Sequence, residues 1–67
     1  MTITLNNRKE TFPPAEMSIA QIMNVKQFHF KMLIVKLNGK LIPRESWTLT
    51  LVRDADRLDI IHLVSGG

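Results

Sequence analysis

MLIVKLNGKLI (residues 32–42) is a β-hairpin legible from side-chain alternation alone. Leu33, Val35 and Leu37 share one face, as alternate residues of a strand do. Asn38-Gly39 is the favoured pair for a two-residue turn with left-handed backbone. Lys40 to Ile42 then returns. Pro43 stops that strand because it has no amide to give to a ladder. The next residues, RESW (44–47), read as a short helical turn that brings Trp47 back under the sheet. Pro43 and Trp47 are therefore read as turn and core, not as ligand contacts.

Working outward, TITLNNRKETF (2–12) reads as a second hairpin. Ile3 and Leu5 alternate with Thr2 and Thr4, and Asn6-Asn7 supplies the turn. The returning strand is Arg8 to Phe12, and Pro13-Pro14 closes it. Between the hairpins, SIAQIMNVKQ (18–27) reads as one short helix. Ser18 is the N-cap and Gln21 completes a capping box. Ile19, Ile22 and Met23 form its apolar face. The helix is expected to fade between Val25 and Phe28, with Phe28 and Phe30 anchoring the following loop to the core. RDADRLDIIHLV (53–64) holds a turn at Asp54–Asp56 and then a last strand. Leu58 and Ile60 face inward there; Asp59, Ile61 and Leu63 face outward. Ser65-Gly66-Gly67 has nothing to pack against and is expected to be mobile.

The predicted order is ββαββ followed by a final strand. One helix can cover only one face of a sheet, so the fold class is α+β. The first and last strands, placed side by side and parallel, would join the two hairpins into one mixed sheet of four or five strands.

Composition narrows the function. The chain has 67 residues, which is one domain. Its hydrophobic fraction, 45%, suffices for a core. A domain of this size buries only about 60% of its unfolded surface, which leaves little room for an enclosed catalytic cleft. There is no cysteine, so disulfides, cysteine zinc sites and a thiol nucleophile are excluded. The missing disulfides favour a cytoplasmic setting. MTITLNN is strand-like and unlike a signal peptide, and no apolar run is long enough to span a membrane. The net charge of +3 comes from scattered lysines and arginines and aromatics are only 6%, which argues against nucleic-acid binding. Arg44 is expected to be exposed, where it could meet an acidic partner. His29 lies in a loop and His62 on a strand, with no third ligand near, so no metal site is expected. His62 and Asp59 read as solvated surface and not as an acid–base pair.

Two segments carry a resemblance. LNGKLIPRESW (37–47) is similar to the Asn-x-x-x-Val/Ile-Pro-Arg-x-x-Trp segment of a known family, and IIHLVSGG (60–67) to its hydrophobic strand running into Gly-Gly. The family is that of the sulfur carriers of thiamine biosynthesis, which are ubiquitin-like β-grasp proteins. The resemblance covers essentially the whole chain. It departs at DAD (54–56), where the family has Asp-Gly-Asp, and at Lys26, where the helix often has an apolar residue. Ala55 takes a positive φ less readily than glycine, so the type of that turn is left open.

The resemblance implies a β-grasp domain over residues 1–64 and a flexible C-terminal tail over 65–67. It implies that a partner adenylating enzyme uses ATP to activate the Gly67 carboxylate. A persulfide donor then converts it to a thiocarboxylate, and thiazole synthase takes the sulfur. The carrier itself would be no enzyme and would hold no cofactor stably. Gly67 would be the reacting residue. Gly66, Ser65 and Val64 would thread the partner's tunnel, and Ile61 and Leu63 would dock the body. Glycines suit a tunnel that admits backbone and no side chain. Ordering such residues costs on the order of 1–2 kcal/mol each, which docking of the folded body must offset. The rival readings are the small subunit of molybdopterin synthase, a ubiquitin-like modifier that forms isopeptides, and an interaction module that never reacts.

Overall fold

The computed structural model describes residues 1–29 and 31–63. Phe30 and the expected tail, with Val64, Ser65, Gly66 and Gly67, lie outside them. In order, the chain forms β1 (Thr2–Leu5), β2 (Arg8–Thr11), β3 (Glu16–Ser18), α1 (Ile19–Lys26), β4 (Leu33–Leu37), β5 (Lys40–Ile42), a 3₁₀ turn (Arg44–Ser46), β6 (Leu51–Arg53) and β7 (Arg57–His62).

The asparagine turns form as their residue types require. Asn6 and Asn7 have φ of +50° and +68°; Asn38 and Gly39 have +52° and +82°. Helix α1 starts with both halves of its capping box: the Gln21 amide donates to Ser18 Oγ at 3.1 Å, and the Ser18 amide to Gln21 Oε1 at 2.9 Å. It ends at Gln27, whose φ of +59° turns the chain out of the helix. Lys26, an unusual residue for its position, reaches across to pair with Glu10 of β2.

Five strands form one sheet in the order β2-β1-β7-β4-β5. The outer pairs are the two hairpins. β7 enters between them, parallel to β1 and antiparallel to β4. Helix α1 covers one face. Its Ile19, Ile22 and Met23 pack with Ile3, Leu5, Val35, Leu58 and Ile60 in one core. This is the mixed sheet and single helix of a β-grasp fold. Trp47 closes one side of the core, its indole Nε1 donating to the Ile42 carbonyl at 3.0 Å.

A second, two-stranded sheet pairs β3 with β6, setting Met17 opposite Val52. Sequence reading passes over it. Strands of three residues are too short to show alternation, and these flank stronger signals, the helix cap and the aspartate turn.

β7 is fastened by side chains as well as by its ladders. The Arg57 amide donates to Asn38 Oδ1 at 2.8 Å, and Asn38 Nδ2 donates to Asp56 Oδ1 at 3.1 Å. On the other edge of β7, the Asn6 amide donates to the Leu58 carbonyl at 3.0 Å and the Ile60 amide to Asn6 Oδ1 at 2.8 Å. Asn6 thus extends the β1 edge by one more bond after β1 has turned away.

The turn left open by Ala55 keeps the glycine geometry: Ala55 has φ of +71°. Its amide donates to the Thr2 carbonyl at 2.8 Å, and the Thr2 amide donates to Asp54 Oδ1 at 2.7 Å. These bonds hold the alanine where its Cβ is strained. Replacing it with glycine relieves about 1–2 kcal/mol of strain and returns part of that as chain entropy in the unfolded state. Ala55→Gly is therefore expected to raise unfolding stability by about 0.5–1 kcal/mol, read from the urea midpoint. Asn6→Gly keeps the left-handed turn but strands the partly buried Ile60 amide, an expected loss of about 1–3 kcal/mol. Asn7→Gly, which removes only an exposed bond from Arg57, is expected to change stability by less than about 0.5 kcal/mol in the same denaturation series.

Candidate functional site

The site expected from the sequence lies at the C-terminal end of β7. There the β4–β7 ladder ends with Leu33 opposite His62. One further bond follows: the Leu63 amide donates to the Met32 carbonyl at 3.0 Å. Leu63 is the last described residue. Gly67, the expected reacting residue, and Gly66, Ser65 and Val64 lie beyond it.

Pleating and register define the outer face of the sheet, away from α1. Ile61 and Leu63 point there, as expected, and are 44% and 41% exposed. Sequence reading named these two and missed their neighbours. Ile34 lies opposite Ile61 across the β4–β7 pair, and Leu41 of β5 lies on the same face at 60% exposure. The signal was present: once Leu33, Val35 and Leu37 face inward, alternation sends Ile34 and Lys36 outward, and the hairpin register carries Leu41 with Lys36. The result is an apolar strip from β5 across β4 to the end of β7.

Charge borders the strip. Lys36 lies opposite Asp59 in the ladder, and Arg57 lies on the same face of β7. Arg57 Nε reaches Asp59 Oδ2 at 3.4 Å, and its Nη2 donates to Asn7 Oδ1 at 2.7 Å. Asn7, Lys36, Arg57, Asp59 and Ile61 line a shallow groove beside the strip. On the helix side of the same sheet end, Asn6, Phe28, Leu33, Ile60 and His62 line another.

The other residues singled out in the sequence take plain positions. Asp59 and His62 lie on opposite faces of β7 and form no dyad. Among the described residues, no three of histidine, cysteine, aspartate or glutamate gather as metal ligands would. No described helix is long and apolar enough to cross a membrane. Arg44 is exposed, as expected, yet its guanidinium is occupied within the chain. Its Nη2 donates to the Lys31 carbonyl at 2.7 Å, and its Cζ lies 4.8 Å from the centre of the Trp47 ring.

The described residues thus form one packed body with an apolar strip that reaches the end of β7. Such a body can present a chain end to another protein.

Comparison with known proteins agrees with this architecture. The model of the ThiS family matches residues 2–67. The crystal structure of a thiamine biosynthesis protein (ThiS) from Geobacter metallireducens superposes with a TM-score of 0.89 at 23% identity, covering 100% of both chains. A solution structure of a thiamine biosynthesis protein from the same organism gives a TM-score of 0.79 at 25% identity, over 100% of this chain and 88% of that one. The uncharacterized protein ycf40 of Porphyra purpurea is 27% identical over 66 residues, 97% of this chain and 93% of that protein. With the five-stranded β-grasp sheet and a family match that runs through the Gly-Gly end, the chain belongs to the ThiS family and is a ThiS-type sulfur carrier with a ubiquitin-like fold.

Proposed function

We propose that the C-terminal carboxyl of Gly67 carries the sulfur. The observation that carries this reading is the family match through residue 67, which takes in Gly66-Gly67. Small carriers of this type are not enzymes themselves.

A free carboxylate is a poor electrophile, so it must first be activated. The partner adenylating enzyme supplies ATP; the Gly67 carboxylate attacks its α-phosphate, and pyrophosphate leaves. The terminal sulfur of a persulfide then attacks the acyl carbon, and AMP leaves. A second thiol cleaves the sulfur–sulfur bond, is itself oxidised to a disulfide, and frees the thiocarboxylate. Persulfide suits this step because its low pKa keeps it ionised as a nucleophile. Thiazole synthase then receives the sulfur. This chain contributes the carboxyl, a segment thin enough to enter another protein, and a docking face. ATP and the reacting thiols belong to the partners.

The outer strip suits the docking role. Ile61 and Leu63 lie immediately before the C-terminal segment, so a partner that covers them holds the chain near the carboxyl. Ile34 and Leu41 widen the contact, and Lys36 gives it a positive border that favours an acidic rim on the partner. Burying this strip offsets the entropy of ordering the last residues.

Intact mass measured after incubation with a thiamine-pathway adenylating enzyme, ATP and a persulfide donor is expected to rise by the difference between one sulfur and one oxygen, with the change mapped to Gly67. No change, with an enzyme that still modifies its own carrier, would sink the assignment and favour a molybdopterin-type or modifier role. Deleting Gly66-Gly67 is expected to abolish turnover and leave the fold intact. Ile61→Glu is expected to raise the KM for activation about tenfold, equivalent to about 1.4 kcal/mol, with stability changed by less than about 0.5 kcal/mol because the site is exposed.

A further inference from the structure

Arg44 has a precise set of partners for an exposed side chain. Trp47 is buried and fixed by its bond to the Ile42 carbonyl. The 3₁₀ turn ties both residues together, with the Trp47 amide donating to the Arg44 carbonyl at 3.1 Å. The guanidinium lies over the indole face and donates to the Lys31 carbonyl. The very next carbonyl, of Met32, accepts the Leu63 amide. Two consecutive carbonyls of the loop entering β4 are therefore held from two sides, one by Arg44 and one by the base of the C-terminal segment.

The Leu63–Met32 bond lies beyond the last β4–β7 pair. Bonds at the end of a ladder open most easily, and they depend on both backbones staying in place. β7 is held at Ile60 by Asn6. On the β4 side, the Arg44 bond to Lys31 supplies the corresponding hold.

We propose that Arg44 is a positioning residue for delivery of the C-terminal carboxyl. It braces Lys31 and Met32 against the Trp47 platform, which keeps Leu63 bonded to the sheet and so sets the point from which the C-terminal segment leaves. This rests on the carrier function proposed for Gly67. Arginine is needed because its planar fork can lie over an indole while donating within its own plane; lysine keeps the charge and loses that geometry. Without the brace, more residues must be ordered when the partner binds, so the effect belongs in KM. The chemistry at Gly67, once seated, is unchanged.

The test measures amide hydrogen exchange and activation kinetics on Arg44→Gln and Arg44→Lys in the full chain. Leu63 exchange is expected to quicken about tenfold in Arg44→Gln, the effect of losing one charge-assisted hydrogen bond, and about threefold in Arg44→Lys. The Leu58 and Val35 amides should keep the wild-type rate. With the adenylating enzyme, KM should rise in the same order and kcat stay constant. Unchanged Leu63 exchange would overturn the proposal. So would faster exchange with an unaltered KM, or an equal acceleration at Leu58, which would make Arg44 a general stabiliser. Should Arg44→Gln fail to fold, Arg44→Lys decides alone by the same criteria. A wild-type chain that is never modified at Gly67 would instead refute the carrier chemistry and the delivery role with it, while exchange at Leu63 would still report whether Arg44 holds that bond.

Discussion

Two residue pairs, Thr4 with Arg57 and Leu5 with Leu58, join β1 to β7 and so join the two halves of the main sheet. Without them the chain would hold a two-stranded hairpin on one side and a three-stranded piece on the other. A lone hairpin is marginal in water. The contact is short, and it links residues more than fifty positions apart, so loop closure opposes it. Burial offsets that cost. Leu5 and Leu58 face the same core as Ile22 and Val35, and each is almost wholly enclosed. The helix can cover a continuous apolar face only when this seam is closed.

Two asparagines hold β7 from its two edges, Asn6 from the β1 side and Asn38 from the β4 side. Asn6 and Asn38 each form a turn with backbone that few residues adopt, and each then uses its side chain to hold β7. A glycine would suit either turn and would give up the second role. This double use explains why the central strand can be parallel to so short a neighbour. Both bonds are made to the β7 backbone, and Leu41, Ile61 and Leu63 stay exposed on the outer face.

The proposed function puts docking and reaction at the same end of the chain. A carrier must be rigid where it docks and slender where it reacts. In that proposal β7 is the docking strand, and it is held by β4, by Asn6 and by the Leu63–Met32 bond. The reacting segment proposed, Ser65-Gly66-Gly67, has little side chain by composition.

Much of this was legible in the residues alone. The asparagine turns, the capping box of Ser18 and Gln21, the inward set Leu33, Val35, Leu37, Leu58 and Ile60, and the short turn carrying Trp47 all follow from neighbours a few positions apart. Such signals are local: a turn type, a cap or a pleat is decided by the backbone preferences of the residues that form it. Other features were decided only in three dimensions. The β3–β6 pair, the left-handed Ala55, the hold of Asn6 on Ile60 and the stacking of Arg44 between Trp47 and Lys31 all need a partner supplied by a distant part of the chain. Ala55 shows the reason most plainly. Its own preference disfavours its conformation, and the bond from its amide to Thr2 outweighs that preference once β1 and β7 lie side by side.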